Sequence, residues 1–199
     1  MSLIVGKTNL IYGEAGVGKT NLSLWLMSAL ANGSSRSIYI STEGTSYASV
    51  LDRYGFYGNE LFVTAYSSSD LLQLIIDIYF RYAKELKIVV IDSINSFYRS
   101  DSTLTPGINR IYNSMLSLIN DLVLNNGITC ILTAQVSSSD EDITVSGISL
   151  LRYWCDTIIR LQRVKGIIRK LTIEFPESIG LTLYYSIDKE GIKWAEDEH

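Results

Sequence analysis

Cysteine is scarce in this sequence, which holds only Cys130 and Cys155 among its 199 residues. Two cysteines cannot build a disulfide framework, which argues against a small disulfide-stapled secreted domain. Both lie in apolar, strand-like runs, so we expect buried thiols in a reducing compartment. A signal peptide and any apolar run of about 18 residues are also missing, so we expect no membrane span and a cytoplasmic location.

Charged residues are also few, at 19% of the chain, and the net charge is -4. A negative chain does not attract nucleic acid over its whole surface, so such a contact must come from a local basic patch. Hydrophobic residues make up 47%, which is typical of a globular protein with an apolar face that favours self-association. The length suits a single α/β domain over residues 1–199.

Residues 13–20, GEAGVGKT, match the phosphate-binding loop G-x-x-x-x-G-K-[ST]. The apolar run 8–12 predicts a strand before the loop, and helical spacing in 21–31 predicts a helix after it that stops at Asn32-Gly33. Glycines let backbone amides turn toward an anion, and the helix amino terminus adds partial positive charge. The alternative is a glycine-rich turn that matches the motif by chance. Such a turn would not need a strand before it and a helix after it, and the sequence predicts both. The loop therefore predicts a nucleoside triphosphate site.

The residue types in the loop suit a phosphate ligand and its metal. Lys19 can reach the β- and γ-phosphates, and the hydroxyl of Thr20 can ligate Mg²⁺. We predict nucleotide binding by the loop and the residue after it, namely Gly13, Glu14, Ala15, Gly16, Val17, Gly18, Lys19, Thr20 and Asn21.

Strand and helix signals alternate from the loop to residue 135. Further strands are predicted at 37–41, 61–63, 87–92 and 128–135. Helices are predicted at 46–54, from a Ser69-Asp70 cap to about residue 84, and from a Thr105-Pro106 start to Asn126. This alternation is typical of a mainly parallel sheet flanked by helices.

The pattern changes after residue 136. Residues 136–142 are polar and predict a mobile loop. Strand-like segments follow without long helices between them, at 155–163, 167–174 and 181–187, with a turn at 188–191 before a last apolar segment, 192–194. The last two of the three strands predict a C-terminal antiparallel extension of the sheet.

Three polar residues end predicted parallel strands and are therefore expected at the carboxyl edge of the sheet, where α/β proteins bind ligands. Asp92 closes an apolar run in the Walker B pattern and is suited to hold Mg²⁺. Glu43 can orient the attacking water as a general base, and the Gln135 amide can sense the γ-phosphate. The alternatives are a strand-ending Asp92, a surface Glu43 and a Gln135 that caps its own backbone.

Together these motifs resemble the core of RecA-type recombinases, in particular the archaeal RadA and RadB group. Residues 38–45, IYISTEGT, are similar to the family's Y-I-D-T-E-G-T, residues 91–101, IDSINSFYRSD, to V-D-S with Y-R-T-D, and residues 133–136, TAQV, to T-N-Q-V. The resemblance covers residues 4–192. It implies a P-loop NTPase fold of RecA type that binds ATP and Mg²⁺. It also implies catalytic roles for Lys19, Glu43 and Gln135, the glutamine coupling the nucleotide to a DNA-binding loop.

In that family two loops contact DNA, and they correspond here to residues 99–107 and 136–148. The resemblance implies that Arg99 pairs with a DNA phosphate, and a solvated arginine is the alternative. Residues 140–142 of the second loop, Asp-Glu-Asp, would repel a phosphate backbone. The later basic residues can bind DNA, reach the nucleotide of a neighbouring subunit or form a solvated face. Their alternation along predicted strands favours the solvated face. These residues are Arg152, Arg160, Arg163, Lys165, Arg169 and Lys170.

The chain also departs from the full recombinases. Their amino-terminal domain and linker do not fit before residue 4, and the arginine that stacks on adenine in some relatives falls near Val50, so Tyr47 or Tyr54 is expected to stack instead. We therefore expect a core-only paralogue similar to RadB proteins, without strand exchange of its own. Its expected partners are a RadA-type recombinase, another paralogue or further copies of this chain.

The leading hypothesis is an ATP-binding, weakly hydrolysing paralogue that modulates homologous recombination or DNA repair and binds single-stranded DNA. The alternative is a KaiC-like regulatory ATPase that acts through protein partners without DNA, which the acidic second loop and negative net charge favour. A small-molecule kinase is not expected, because residues 136–150 contain no arginine. A GTPase is not expected either, because no N-K-x-D motif is present.

Overall fold

A sheet of ten strands forms the centre of the structure. The computed structural model describes residues 3–31, 36–56, 58–101, 107–139 and 142–195. The strands are β1 (Thr8–Gly13), β2 (Arg36–Ser41), β3 (Glu60–Thr64), β4 (Leu86–Asp92), β5 (Thr129–Ser139), β6 (Asp142–Val145), β7 (Thr157–Lys165), β8 (Ile168–Phe175), β9 (Thr182–Asp188) and β10 (Gly191–Trp194). Their order is β10-β9-β8-β7-β1-β5-β4-β2-β3, with β6 paired to β5 outside this path.

The strands from β7 to β3 in this order run parallel to one another, which confirms the predicted mainly parallel sheet. Their interiors are apolar and rich in β-branched residues, as expected where helices cover both faces. In β4 the residues from Ile88 to Ile91 are at most 2% exposed. This arrangement brings the carboxyl ends of β1, β2, β4 and β5 to one edge of the sheet.

The antiparallel extension is also confirmed, and it is larger than predicted. β8 is antiparallel to both β7 and β9, and β10 is antiparallel to β9. Because β7 is at the same time the parallel neighbour of β1, the extension is continuous with the strand that precedes the phosphate loop.

Within the described ranges the sheet is joined by five α-helices: α1 (Lys19–Ala31), α2 (Ser68–Asp77), α3 (Ser96–Asp101), α4 (Ile108–Asn126) and α5 (Ile148–Trp154). The predicted short helix after β2 is a 3-10 helix, Ser46–Arg53. Leu71 of α2, Met115 of α4 and Leu151 of α5 belong to one buried cluster. Leu22 and Met27 of α1 belong to a second cluster. The sheet is therefore the middle of three layers.

The predicted start of α2 is wrong by two residues, because the N-cap is Ser67 and not the Ser69-Asp70 pair. The Ser67 hydroxyl accepts from the backbone N–H of Asp70 at 3.1 Å, and the Asp70 carboxylate accepts from the backbone N–H of Tyr66 at 3.2 Å. The two side chains thus satisfy amides on either side of the helix start, an arrangement that differs from a capping box in that the second amide belongs to Tyr66 and not to the N-cap residue. The helix continues to Glu85 through a π-helical turn, Ile78–Tyr82, and a 3-10 turn.

Two other predicted helix signals lie outside the described residues: the stop at Asn32-Gly33 and the start at Thr105-Pro106. The helix that the second signal announces is present as α4 and ends where predicted. Gly127 follows it with φ 65° and donates its backbone N–H to the carbonyl of Val123.

The prediction of a mobile loop over residues 136–142 is wrong for the part that the structure describes. β5 runs on to Ser139 and pairs with β6 as an antiparallel hairpin, with Val136 opposite Val145. Backbone ladder bonds do not depend on side-chain polarity, so a serine-rich run can extend a strand. Asp140 and Glu141 lie outside the described residues. The short helices α3 and α5 have too few turns to produce an apolar period in the sequence.

No helix within the described ranges is both long and apolar enough to cross a membrane.

Candidate nucleotide-binding site

The phosphate loop, residues 13–20, joins the central strand β1 to α1 and opens at the carboxyl edge of the sheet. The local structure requires glycine at two positions of the loop, Gly13 and Gly16. A Cβ on Gly13 would lie 2.4 Å from the carbonyl oxygen of Leu161 in β7, and Gly16 has φ 72°. These positions tolerate no side chain, so the backbone amides stay open to an anion.

Lys19 lies folded over the mouth of the loop. Its Nζ donates to the carbonyls of Gly13 at 2.8 Å and Glu14 at 2.9 Å, and the residue is only 7% exposed. Burial lowers the pKa of Lys19, while the charges of Asp92 and Glu43 oppose that shift. A phosphate would give this poorly solvated ammonium a charged acceptor in place of two neutral carbonyls.

Asp92 ends β4 directly beside the loop. The Thr20 hydroxyl donates to its Oδ2 at 2.6 Å, and the hydroxyls of Tyr39 and Thr133 donate to its two carboxylate oxygens. Burial and the neighbouring carboxylate raise the pKa of Tyr39, which keeps it a donor. The predicted pair of Thr20 and Asp92 thus meets, and a hydroxyl with a carboxylate is the hard oxygen set that suits Mg²⁺.

Among the residues that the structure describes, no group of three or more His, Cys, Asp or Glu side chains is arranged to hold a metal ion. The Thr20–Asp92 pair itself offers two of the oxygen ligands that Mg²⁺ prefers, beside the loop that would hold the phosphates of a nucleotide.

Glu43 and Gln135 meet on the far side of the loop. Gln135 donates from Nε2 to Oε1 of Glu43 at 2.6 Å, and the Ser93 hydroxyl donates to the same oxygen at 3.0 Å. Gln135 is in β5, Ser93 follows β4 and Glu43 follows β2. These three side chains meet because the three strands are adjacent in the order β5-β4-β2. All three side chains lie at the edge that the strand-end argument predicts.

Gln135 is held by two further residues. Asn95, fully buried, donates to the Gln135 carbonyl at 2.8 Å and accepts from its backbone N–H at 3.0 Å. The exposed Arg99 donates to Oε1 of the Gln135 side chain at 3.0 Å. Arg99 thus contacts the residue that contacts Glu43.

A cleft of about 290 Å³ opens over the loop. It is lined by loop residues, the predicted catalytic residues and two residues from the antiparallel extension: Ala15, Gly16, Gly18, Lys19, Thr20, Asn21, Glu43, Asp92, Gln135, Arg169 and Ile187. Of the other predicted nucleotide residues, Gly13 and Glu14 hold Lys19 through their carbonyls. Val17 is buried in the core, and its carbonyl accepts from Tyr185.

The prediction that Tyr47 or Tyr54 stacks on adenine is wrong, because both side chains are buried. Tyr47 is 8% exposed and stacks on Phe62, with ring centroids 5.4 Å apart and an interplanar angle of 13°. Tyr54 is 7% exposed and donates its hydroxyl to Asn21 Oδ1 at 2.7 Å. Both rings are therefore buried in the core and are not available to stack on a base.

The prediction that the later basic residues form a solvated face is also wrong for two of them, Arg160 and Arg169. Arg160 is half-buried and pairs with Glu174 at 3.5 Å. Arg169 lines the cleft of its own chain. The exposed Arg163 donates to the carbonyl of Gly16 at 3.3 Å.

Sequence reasoning missed several residues of the site. Thr133 had a usable signal, because it lies two positions before Gln135 and so shares its strand face. Ser93 and Asn95 act from the turn after β4, where no period applies. Arg169 is among the later basic residues that the sequence singles out, but its position at the loop of its own chain depends on the register between β8 and β7.

Comparisons with known proteins identify the family of the chain. A family model described as Rad51 matches residues 3–193. The DNA repair and recombination protein RadB of Methanocaldococcus jannaschii is 30% identical over 172 residues, 78% of each chain. The protein of that name from Methanococcus maripaludis strain C5 is 33% identical over 177 residues, 82% of this chain and 79% of that one.

The fold has a counterpart among solved structures. A crystal structure of the RadB recombinase superposes with a TM-score of 0.76 at 22% identity, over 98% of this chain and 93% of that one. Its sheet and this one share the RecA-type P-loop architecture. With the family match over nearly all of its length, the chain belongs to the Rad51 family, as a RecA/RadA-type, RadB-like member.

Proposed function

We propose that residues 1–199 form a single RecA-like ATPase core that binds ATP, hydrolyses it weakly and modulates homologous recombination or DNA repair. The observation that carries the proposal is the convergence of Thr20, Asp92, Glu43 and Gln135 on one phosphate loop. The names of the RadB relatives support the biological role. The buried, unpaired thiols Cys130 and Cys155 support a reducing compartment, the cytoplasm.

The nucleotide would lie with its phosphates on the loop amides and Lys19. Thr20 and Asp92 would hold Mg²⁺, which supplies charge neutralisation at the phosphates when it is bound. The hydrogen bonds of Tyr39 and Thr133 orient Asp92, so the carboxylate presents a fixed face toward Thr20.

Hydrolysis in this site would depend on Glu43. Two donors, Gln135 and Ser93, hold its Oε1 and so fix the carboxylate over the cleft. A carboxylate in that position can accept a hydrogen bond from water and direct it in line at the γ-phosphorus, taking its proton. Lys19 would stabilise the charge that develops on the phosphate oxygens.

Contact with single-stranded DNA would reach the site through Arg99. Its guanidinium donates to Gln135, whose amide donates to Glu43. A DNA phosphate that draws Arg99 away would free Gln135 to move, and Glu43 would lose a donor. This chain of two hydrogen bonds is the physical route by which DNA can change turnover.

Self-association, or binding of a RadA-type recombinase or another paralogue, would use the edge of the sheet at β3. This outer strand borders a cleft of about 190 Å³ whose lining is largely apolar and includes Leu61, Val63, Leu74 and Ile78. Leu61 is 53% exposed. An unpaired edge strand beside an apolar cleft suits the addition of an extended segment from a partner.

The test is ATP turnover of wild type, Lys19→Ala and Glu43→Gln, with and without single-stranded DNA. We expect Lys19→Ala to lose nucleotide binding, and Glu43→Gln to keep binding but lose turnover by about 100-fold or more, the scale of a general base. Asp52→Asn removes an exposed carboxylate of the adjacent 3-10 helix and serves as the matched control. Wild-type turnover in Glu43→Gln would refute the assignment of Glu43.

The second candidate is a KaiC-like regulatory ATPase without a DNA ligand. It is favoured by the acidic residues 140–142 and the net charge of -4. DNA binding driven by phosphate contacts must weaken as salt rises. Absence of binding to single-stranded DNA at low salt, together with turnover that DNA does not change, would select this candidate over the recombination role.

A further inference from the structure

Three strands of the antiparallel extension direct one face toward the phosphate loop. On β8, Leu171 and Ile173 are buried in the same cluster as Leu22 of α1, so alternation places Arg169 on that face as well. Arg169 lies at the end of this apolar face, beyond the buried residues. It lines the cleft together with Gly16, Gly18 and Lys19.

The neighbours of Arg169 on the adjoining strands contact the apex of the loop. Arg163, opposite Arg169 on β7, donates to the Gly16 carbonyl at 3.3 Å. Tyr185, opposite Arg169 on β9, donates to the Val17 carbonyl at 3.0 Å. Arg169 is thus flanked by two side chains that already hold the loop.

This face carries two neighbouring positive charges, those of Arg163 and Arg169. Like charges directly opposite each other in a sheet repel, and Arg163 and Arg169 are such a pair. Within the described ranges, no carboxylate forms an ion pair with either arginine. An anion between the loop and β8 would relieve this repulsion.

The donors of Arg169 are only partly used. One terminal nitrogen donates to the carbonyl of Ile167 at 2.8 Å, which anchors the guanidinium. Its Nε is buried and has no hydrogen-bond partner among the described groups. A buried donor without an acceptor is costly, and a phosphate oxygen would satisfy it.

We propose that Arg169 is a phosphate-binding residue of its own chain's nucleotide site, so that the polyphosphate is held between the loop and β8. The inference rests on the proposed ATP site and adds a residue that the loop motif does not contain. It makes the antiparallel extension part of the nucleotide site.

The experiment compares the binding of fluorescent ATP and ADP analogues, with Mg²⁺, to wild type, Arg169→Gln, Arg169→Lys and Lys170→Gln. Lys170→Gln is the matched control, because it removes the same charge one position away on the opposite face of β8. We expect Arg169→Gln to weaken binding about 10- to 100-fold, the scale of one hydrogen bond between charged groups. Arg169→Lys should fall between it and wild type, and Lys170→Gln should bind as wild type does.

Affinity of Arg169→Gln equal to that of Lys170→Gln would overturn the inference. If wild type itself bound neither analogue, the proposed function would fail first, so the two failures are distinguishable. Should Arg169→Gln not fold, the wild-type protein still decides the matter. The Nε–H resonance of Arg169, identified by its absence in Arg169→Lys, must shift when ADP is added, and an unmoved resonance would reject the contact.

Discussion

Gln135 donates a hydrogen bond of 2.6 Å to Glu43, across the position of β4 between their two strands. The same glutamine accepts from Arg99 through its Oε1. One side chain therefore connects the expected catalytic carboxylate with the expected DNA-contacting arginine.

Replacing Gln135 with alanine should remove a donor from Glu43 and the acceptor of Arg99. We expect ATP turnover to fall about tenfold or more, the value of one hydrogen bond to a charged group, with nucleotide affinity unchanged. Any change of turnover on adding single-stranded DNA should disappear. Gln73→Ala, at an exposed position of α2, is the control for the assay. A Gln135→Ala variant that DNA still affects would contradict the coupling role.

Replacing Asp92 with asparagine should uncouple Mg²⁺ from the nucleotide. The amide keeps the size of the side chain but loses the charge that a Mg²⁺ ligand needs, so we expect the Mg²⁺ dependence of ATP affinity to weaken about 10- to 100-fold. Affinity measured in EDTA should remain. Isothermal titration of ATP with and without Mg²⁺ checks both, and equal Mg²⁺ dependence in wild type and Asp92→Asn would rule out this ligand.

Replacing Gly13 with alanine should destabilise the fold as well as the site. The new Cβ would lie 2.4 Å from the backbone oxygen of Leu161, so β1 and β7 would have to separate. We expect a loss of about 1–3 kcal/mol in the free energy of unfolding, the usual cost of overpacking. Gly55→Ala is the control, because Gly55 also has positive φ, 57°, but open space around it. Similar urea midpoints for both variants would contradict the close approach.

The two cysteines should stay unreactive in the folded protein. Burial raises the pKa of the Cys155 thiol from 9.0 to about 12, and burial also raises the pKa of Cys130. The folded state therefore keeps these protons while the unfolded chain loses them above pH 9, so stability should fall as pH rises from 9 toward 12. At pH 8, a thiol reagent should modify neither cysteine until denaturant is added. Rapid reaction of the native protein would disprove their burial.

Much of the fold follows from local signals in the chain. The alternation of apolar strands with capped helices leads to the parallel sheet, and strand ends place Asp92, Glu43 and Gln135 at one edge. A strand period of two and a loop motif depend on neighbouring residues alone, so the features that they specify are predictable.

The missed features depend on contacts between distant residues. Arg169 reaches the cleft because Arg163 and Tyr185 are its cross-strand partners, and strand register is not encoded in a short window. Tyr47 fails as an adenine platform because Phe62, from the next strand, covers its ring. The serines of the 136–139 segment predict an irregular loop, yet β6 pairs with it through the backbone.

The hydrogen bonds that link β1 and the phosphate loop to residues far along the chain have a consequence for folding during synthesis. The hydroxyl of Tyr185 bonds to the Val17 carbonyl across 168 positions of the chain, and Asp156 bonds to the Thr8 amide across 148. A ribosome releases the loop long before the partners that shape it. Because contacts so distant in sequence form late, the nascent chain carries an unfinished nucleotide site until translation has passed β9. We therefore expect the phosphate loop to reach its final conformation only after β9 has been synthesised.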